Sequence, residues 1–414
     1  MLNEITMCEV CGAHDLVSVL DMSSHPMCDD IVPIDDPRIC KEYPIEILFC
    51  NRCKTAHQRY QVPKHELFSR SYHYRSRFTA DVLTGMSELV NDCEASFGDL
   101  SGKVVLDVGC NDGSLLGFFR EKGASTIGIE PTGAAEDAMR SGHKVYMDYL
   151  VPESAERIVK EHGIPDLITF TNVFAHIENL EELILSLSVL HGDNTMIVIE
   201  NHYLGAVFER NQFDTFYHEH PRTYSLTSFM FIAKNLGMKV LDVVFPSRYG
   251  GNIRVFLSRD QGKGLITPDR LKVALGKETD FLRSFALLRK NIARWHKNKG
   301  SQIAALVRQY GPLKAKAFPG RAAILVKMLD LDETHISAVY EKPGSLKIGH
   351  YVPGTRIPIL SDEHLIQEND DSSPILNLAW HISDEIKRYM SSRQFNGDIV
   401  DILDQADFTD STVY

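Results

Sequence analysis

The sequence predicts an α/β protein with a doubly wound parallel sheet and, after it, a second α/β unit, preceded by a short cysteine-rich segment. Three observations predict it. KVVLDVGCNDGSLLGFF (Lys103–Phe119) reads as strand, glycine turn and helix, and apolar strands follow in STIGIEP, DLITFTNVFAHI and TMIVIENHY. A second alternating set comes after a long helical stretch, in RAAILVKMLDL, ISAVYE (Ile336–Glu341), PILNLAW (Pro374–Trp380) and HISDEIKRYM. Two C-x-x-C pairs sit near the N-terminus.

At 414 residues the chain is too long for one ordinary domain. The composition changes place the boundaries at 1–70, 71–262, 263–396 and an acidic tail at 397–414. Forty-four basic against fifty-six acidic residues give a net charge of −12, which argues against nucleic acid as a partner. No apolar run is long enough for a bilayer span, and MLNEITMCEVCGAHD does not resemble a secretory signal. A cytoplasmic protein acting as a monomer on a small molecule is expected, with its eight cysteines reduced or metal-bound.

In the first segment Cys8 and Cys11 (C-E-V-C) and Cys50 and Cys53 (C-N-R-C) have zinc-knuckle spacing, although residues 12–49 make a long intervening stretch. Two thiolates from each pair can reach one tetrahedral ion at about 2.3 Å, and a four-cysteine site has no open position for chemistry. The ion is therefore read as structural, with redox use the alternative. Cys28 and Cys40 are ordinary thiols on this reading.

The turn D-V-G-C-N-D-G contains Asp107, Gly109, Asn111 and Asp112 but lacks the G-x-G-x-x-G that cradles a pyrophosphate. The acidic strand end at Asp107 suits a cationic ligand. Glu130 follows Gly109 by 21 residues, where a carboxylate can accept from two ribose hydroxyls. Together these favour S-adenosylmethionine over NAD, with Asn172 at the next strand's carboxyl end as a further contact. The residues from about 265 to 310 form a connecting helical stretch with Leu271, Leu275, Leu282, Phe285, Leu288 and Ile292 on one stripe.

The segment DTFYHEHPRTYS (Asp214–Ser225) concentrates Tyr217, His218, Glu219, His220 and Tyr224. Such a cluster is either a polar structural loop or a proton-transfer site.

In this order, the two C-x-x-C pairs, YHYRS (Tyr72–Ser76), VLDVGCNDGSLL, GIEP, NVFAHI, DTFYHEH, YGGNIRVF, YVPGTRIPI and LAW resemble the S-adenosylmethionine-dependent C-methyltransferases that act on nucleotide-linked deoxysugars. The resemblance covers nearly the whole chain. It implies a class I, Rossmann-like methyltransferase domain with an N-terminal zinc-binding domain and a second Rossmann-like C-terminal α/β domain. It implies His220 as the base that deprotonates a sugar carbon beside a ketone, with Glu219 and Tyr217 shaping its surroundings and His176 and Tyr74 as further members. His218 reads as a structural hydrogen-bonder. Asn252 and Arg254, in the Gly-Gly-x-x-Arg signature, and Arg356 are substrate-binding candidates, although either arginine could instead form an ion pair.

The physical case agrees: an imidazole titrates near the working pH, and a neighbouring carboxylate can fix its tautomer. An O- or N-methyltransferase on the same scaffold is the alternative, with His220 deprotonating a heteroatom. One departure bears on the substrate. Where such proteins carry a glycine-rich run with lysine, this chain reads AFPGRAAIL, so that Arg321 supplies the charge.

Overall fold

The computed structural model describes residues 2–67, 75–78, 80–259, 267–368 and 373–409. They form two compact units. One comprises Met1–Val19, Ile47–Val207 and Glu219–Leu282, the other Leu20–Glu46, Phe208–His218 and Arg283–Tyr414.

The first unit is built on seven strands: β1 (Val104–Val108), β2 (Ser125–Ile129), β3 (Lys144–Tyr146), β4 (Leu167–Thr171), β5 (Met196–His202), β6 (Lys239–Val244) and β7 (Asn252–Ser258). Their order is β6-β7-β5-β4-β1-β2-β3. β1 to β5 run parallel, and β7 is antiparallel to both its neighbours. The central strands are apolar runs because both faces are covered. Helix α1 (Ala80–Phe97) turns Val82, Met86, Leu89, Val90 and Cys93 toward a core shared with Val105, Leu115, Phe119 and Val198. The helices α2 (Ser114–Glu121), α3 (Ala134–Arg140), α4 (Pro152–His162), α5 (Leu180–Leu190), α6 (Leu204–Arg210) and α7 (Leu226–Asn235) connect the strands. The expected helical stretch is two helices, α8 (Pro268–Lys277) and α9 (Phe281–Tyr310). On α9 the stripe holds for Phe285, Leu288 and Ile292, whereas Leu282 is 38% exposed.

The cysteine-rich part of this unit is a hairpin. Ile47–Cys50 pairs antiparallel with Thr55–Gln58, and the C-N-R-C residues make the turn, closed by Lys54 N–H donating to the Cys50 carbonyl at 2.9 Å. Lys54 takes the left-handed conformation (φ 58°) that such a tight turn demands.

The second unit is built on a five-stranded sheet: β8 (Leu313–Lys316), β9 (Ile336–Glu341), β10 (Ile359–Ser361), β11 (Ile375–Asn377) and β12 (Ile399–Asp401). All are parallel, in the order β10-β9-β8-β11-β12. This is the second α/β unit that the sequence leads one to expect, with α10 (Ala322–Met328), α11 (Asp362–Glu368) and α12 (Ser383–Ser392). RAAILVKMLDL supplies helix α10, and the strand before it, β8, is too short and too lysine-rich to announce itself. The residues expected as an acidic tail are a correction: Ile399–Asp401 is an edge strand, and Phe408 is buried. Trp295 of α9 donates its Nε1–H to the Ile402 carbonyl at 2.9 Å, which fastens this last stretch.

Candidate active site

The carboxyl ends of β1, β2, β4 and β5 converge in the first unit, where a doubly wound sheet places its ligand. Gly109 (φ 70°) lets the chain turn off β1, and a Cβ there would meet a Val173 methyl at 2.5 Å. Asp107 is buried under the turn and accepts from the Thr169 hydroxyl at 2.7 Å. Burial raises its pKa to about 7, against the Thr169 bond and with the help of the nearby Glu130 charge. The Glu130 carboxylate accepts from the backbone N–H of Asn111 at 3.1 Å and of Thr132 at 2.9 Å, one bond to each oxygen. Each oxygen retains a second lone pair for a ribose hydroxyl.

Asn111 and Asp112 do something the sequence does not show. Asn111 Oδ1 accepts from Ser76 N–H at 3.1 Å, and Asp112 Oδ2 from Arg77 N–H at 2.9 Å. Arg75 and Arg77 both pair with Asp137 of α3. The glycine turn is thereby tied to the segment that follows YHY. Tyr74 itself lies outside the described residues.

Three imidazoles meet beyond β4 and β5. His176 stands in the turn Phe174–His176, and His202 is the last residue of β5. The His220 ring lies 4.8 Å from that of His176 and 5.5 Å from that of His202, centroid to centroid. His176 Nδ1 donates to the Glu219 carbonyl at 2.7 Å. Desolvation lowers the His176 pKa to about 4, so this ring is neutral at physiological pH. Phe170, Phe174, Tyr224 and Phe229 stack edge to face or tilted beneath it, with centroids 5.1–5.8 Å apart. That apolar base fixes the turn. His202 was not singled out from sequence; its position at the end of a predicted parallel strand was the available signal.

The residues just after His220 belong to the zinc hairpin's sheet. Arg222 pairs with His57 and Thr223 with Ala56, and the Pro221 carbonyl accepts from Gln58 N–H at 2.8 Å. Arg222 is fully buried and donates to the Tyr224 hydroxyl, to Glu9 and to the carbonyls of Ile177 and Glu178. Burial works against its charge, but Tyr224 and Glu9 more than offset this and hold its pKa up.

The remaining candidates fall elsewhere. Asn252 donates to Asn172 Oδ1 at 3.2 Å and to Glu200 Oε1 at 2.9 Å. Glu200 is fully buried and also takes Arg248 and Arg254, each through Nε at 2.7 Å; Arg254 reaches Asp92 as well. Arg254 is thus part of a buried ion-pair network. In the second unit Arg321 makes a two-pronged pair with Asp214, at 2.8 and 3.0 Å, and lies over the Trp380 ring. Arg356 is half-exposed and donates to the carbonyls of Asp36, Pro37 and Arg38. Tyr217 is half-buried, where the motif passes from one unit to the other. His218 is buried and bonds the Tyr43 carbonyl at 3.0 Å, a structural role.

Both implied ligands fit the residues present. The sulfurs of Cys8, Cys11, Cys50 and Cys53 lie within 4.8 Å of one another, as four thiolates around one tetrahedral zinc must. At the carboxyl edge of the sheet the Thr171 hydroxyl and Asn252 Oδ1 are buried without a hydrogen-bond partner among the described residues, which fits a polar ligand there. No helix among the described residues is long and apolar enough to cross a membrane.

Comparison with known proteins agrees with this arrangement. Family profiles described as "Putative zinc binding domain", "Methyltransferase domain" and "C-methyltransferase C-terminal domain" match residues 8–68, 73–243 and 247–401. C-methyltransferase NovU of Streptomyces niveus is 27% identical over 395 residues, covering 93% of this chain and 92% of that protein. Solved structures overlap a smaller part. Magnesium protoporphyrin IX methyltransferase of Synechocystis PCC 6803 covers 44% of this chain and 84% of its own at 16% identity, with a TM-score of 0.35. A SAM-dependent methyltransferase of Anabaena variabilis covers 46% and 89% at 18% identity, with a TM-score of 0.34. With three matched domains in order, a four-cysteine cluster and a class I sheet, the chain is an S-adenosylmethionine-dependent methyltransferase that carries a zinc-binding and a C-methyltransferase C-terminal domain.

Proposed function

We propose that this enzyme methylates a carbon next to a ketone in a keto-deoxysugar carried by a nucleotide, with His220 as the base. The observation that supports this most is the convergence of His176, His202 and His220 at the carboxyl ends of β4 and β5. His220 is only 5% exposed, and a base shielded from water suits a carbon acid whose proton is weakly acidic. The His176 ring packs beside it with its one N–H given to the Glu219 carbonyl, and so fixes the place of the base; the donor for the developing enolate falls to a tyrosine hydroxyl. Glu219 acts through its backbone carbonyl. Tyr217 and Tyr74 are assigned to the acceptor's surroundings by their places in the two motifs.

Bound S-adenosylmethionine supplies the electrophilic methyl group. Glu130 holds its ribose, and Gly109, Asn111, Asp112 and Asn172 shape the turn and strand end around it, with Asp107 as the buried support. On the acceptor side Arg356 is the best grip for a diphosphate, because it spends its guanidinium on neutral carbonyls. Arg254 and Arg321 already have carboxylate partners, and Asn252 orients Asn172.

The test is hydrogen exchange from D2O into 4-keto-6-deoxy nucleotide-sugars with no methyl donor, read by mass spectrometry. Deuterium should enter beside the ketone with the wild type and not with His220→Asn. Exchange in no sugar, with donor binding intact, would favour methylation of oxygen or nitrogen instead.

A further inference from the structure

We infer that His202 is the outlet through which the proton taken by His220 reaches solvent, an inference that rests on His220 acting as the base. Each turnover breaks a carbon–hydrogen bond, and its electron pair becomes the enolate. The enolate carbon then bonds the methyl group as the sulfonium carbon–sulfur bond breaks and leaves a neutral thioether. One proton is left on His220 and must go to water before the next cycle.

His220 is 5% exposed, so the proton needs a route. Two rings flank it. His176 is a poor acceptor: its Nδ1 already donates to the Glu219 carbonyl, and its surroundings disfavour a second proton. His202 is half-exposed, and its ring lies 5.5 Å from that of His220. That separation leaves room for a direct hydrogen bond or one bridging water between ring nitrogens. An imidazole can take a proton at one nitrogen and release another from the second.

The backbone keeps the two rings in reach. Tyr203 bridges Tyr224, and Leu204 N–H donates to the Tyr224 carbonyl at 2.9 Å, so the end of β5 is tied to the strand that follows His220. Asn252 stands opposite His202 on β7, and Glu200, two residues back on the same face of β5, is occupied by Arg248 and Arg254. Tyr203 gives its hydroxyl to Glu278 at 3.1 Å.

The experiment is the donor-free deuterium exchange in the full-length protein, run in weak non-nucleophilic buffer and again with added imidazole. It compares the wild type with His202→Asn, His202→Gln and His220→Asn, and includes thermal unfolding of each. Both His202 variants should exchange roughly tenfold more slowly or worse in weak buffer, because the proton returns to the carbon it left. Imidazole should restore them, while His220→Asn stays inactive in either buffer. Normal exchange by the His202 variants in weak buffer, with His220→Asn inactive, would overturn the relay and leave the base assignment standing. A loss that imidazole cannot restore would make His202 a structural residue and overturn the relay equally. Full exchange by His220→Asn would remove the base itself, and the relay with it.

Discussion

The Glu9 carboxylate, in the knuckle between Cys8 and Cys11, accepts from the buried Arg222 guanidinium at 2.7 Å. Arg222 stands two residues beyond His220, and it also donates to the carbonyls of Ile177 and Glu178, the residues that follow His176. One side chain therefore fastens the zinc knuckle to the neighbourhoods of His176 and His220. A zinc held by four cysteines has no open position for chemistry, but the segment it closes is part of the frame around His220.

Arg222→Lys keeps the charge and loses the planar fork, leaving Tyr224 and two carbonyls short of a donor. The first unit should lose about 3 kcal/mol or more, read from urea unfolding. Methyl transfer should fall at least tenfold with little change in donor affinity. Unaltered turnover would show that the histidines hold their places without this arginine.

Replacing Cys50 and Cys53 together by serine should abolish the single zinc per chain measured by atomic absorption. With the turn unclosed, proteolysis should begin within residues 47–58 of the hairpin, next to the strand Arg222–Thr223. A zinc-free variant equally resistant to protease would contradict a structural ion.

Glu130→Gln keeps an acceptor but removes the charge, and Glu130→Ala removes both. Charged hydrogen bonds contribute about 1.5–3 kcal/mol each, so calorimetry should show S-adenosylmethionine binding weakened about tenfold or more by the alanine change. The glutamine variant should fall between. Unchanged affinity in both would take the ribose from Glu130.

His218 is buried, and desolvation lowers its pKa to about 4 from an ordinary value near 6.5. The folded state excludes a proton that the unfolded chain binds. Stability is therefore full above pH 6.5 and is lost as the pH falls toward about 4, by about 3 kcal/mol in all. His218→Gln should flatten that slope in denaturation series between pH 4 and 6.5. A slope unchanged by the substitution would mean that another group titrates there.

Much of this was legible in the chain. Continuous apolar strands such as KVVLDV announce a sheet buried on both faces, and two C-x-x-C pairs announce a metal. The His176–His220 contact was foreshadowed by motif resemblance. Pairings were not. Nothing in a linear pattern tells whether Arg254 faces a ligand or Glu200, because both outcomes use the same residue types. Likewise Asp214 looked like the edge of the catalytic motif and proves to be Arg321's partner. His202 was hidden for the opposite reason, since a single histidine ending a strand has no pattern of its own.

Glu200 answers to Arg248, Arg254 and Asn252 at once, and Asn252 in turn holds Asn172. Loss of that carboxylate would remove the counter-charge that two buried arginines share, and loss of either arginine would unbalance the rest. These positions cannot drift one at a time. In lineages descended from this enzyme they should be inherited as a block, and a change at Glu200 should be found only alongside changes at both arginines.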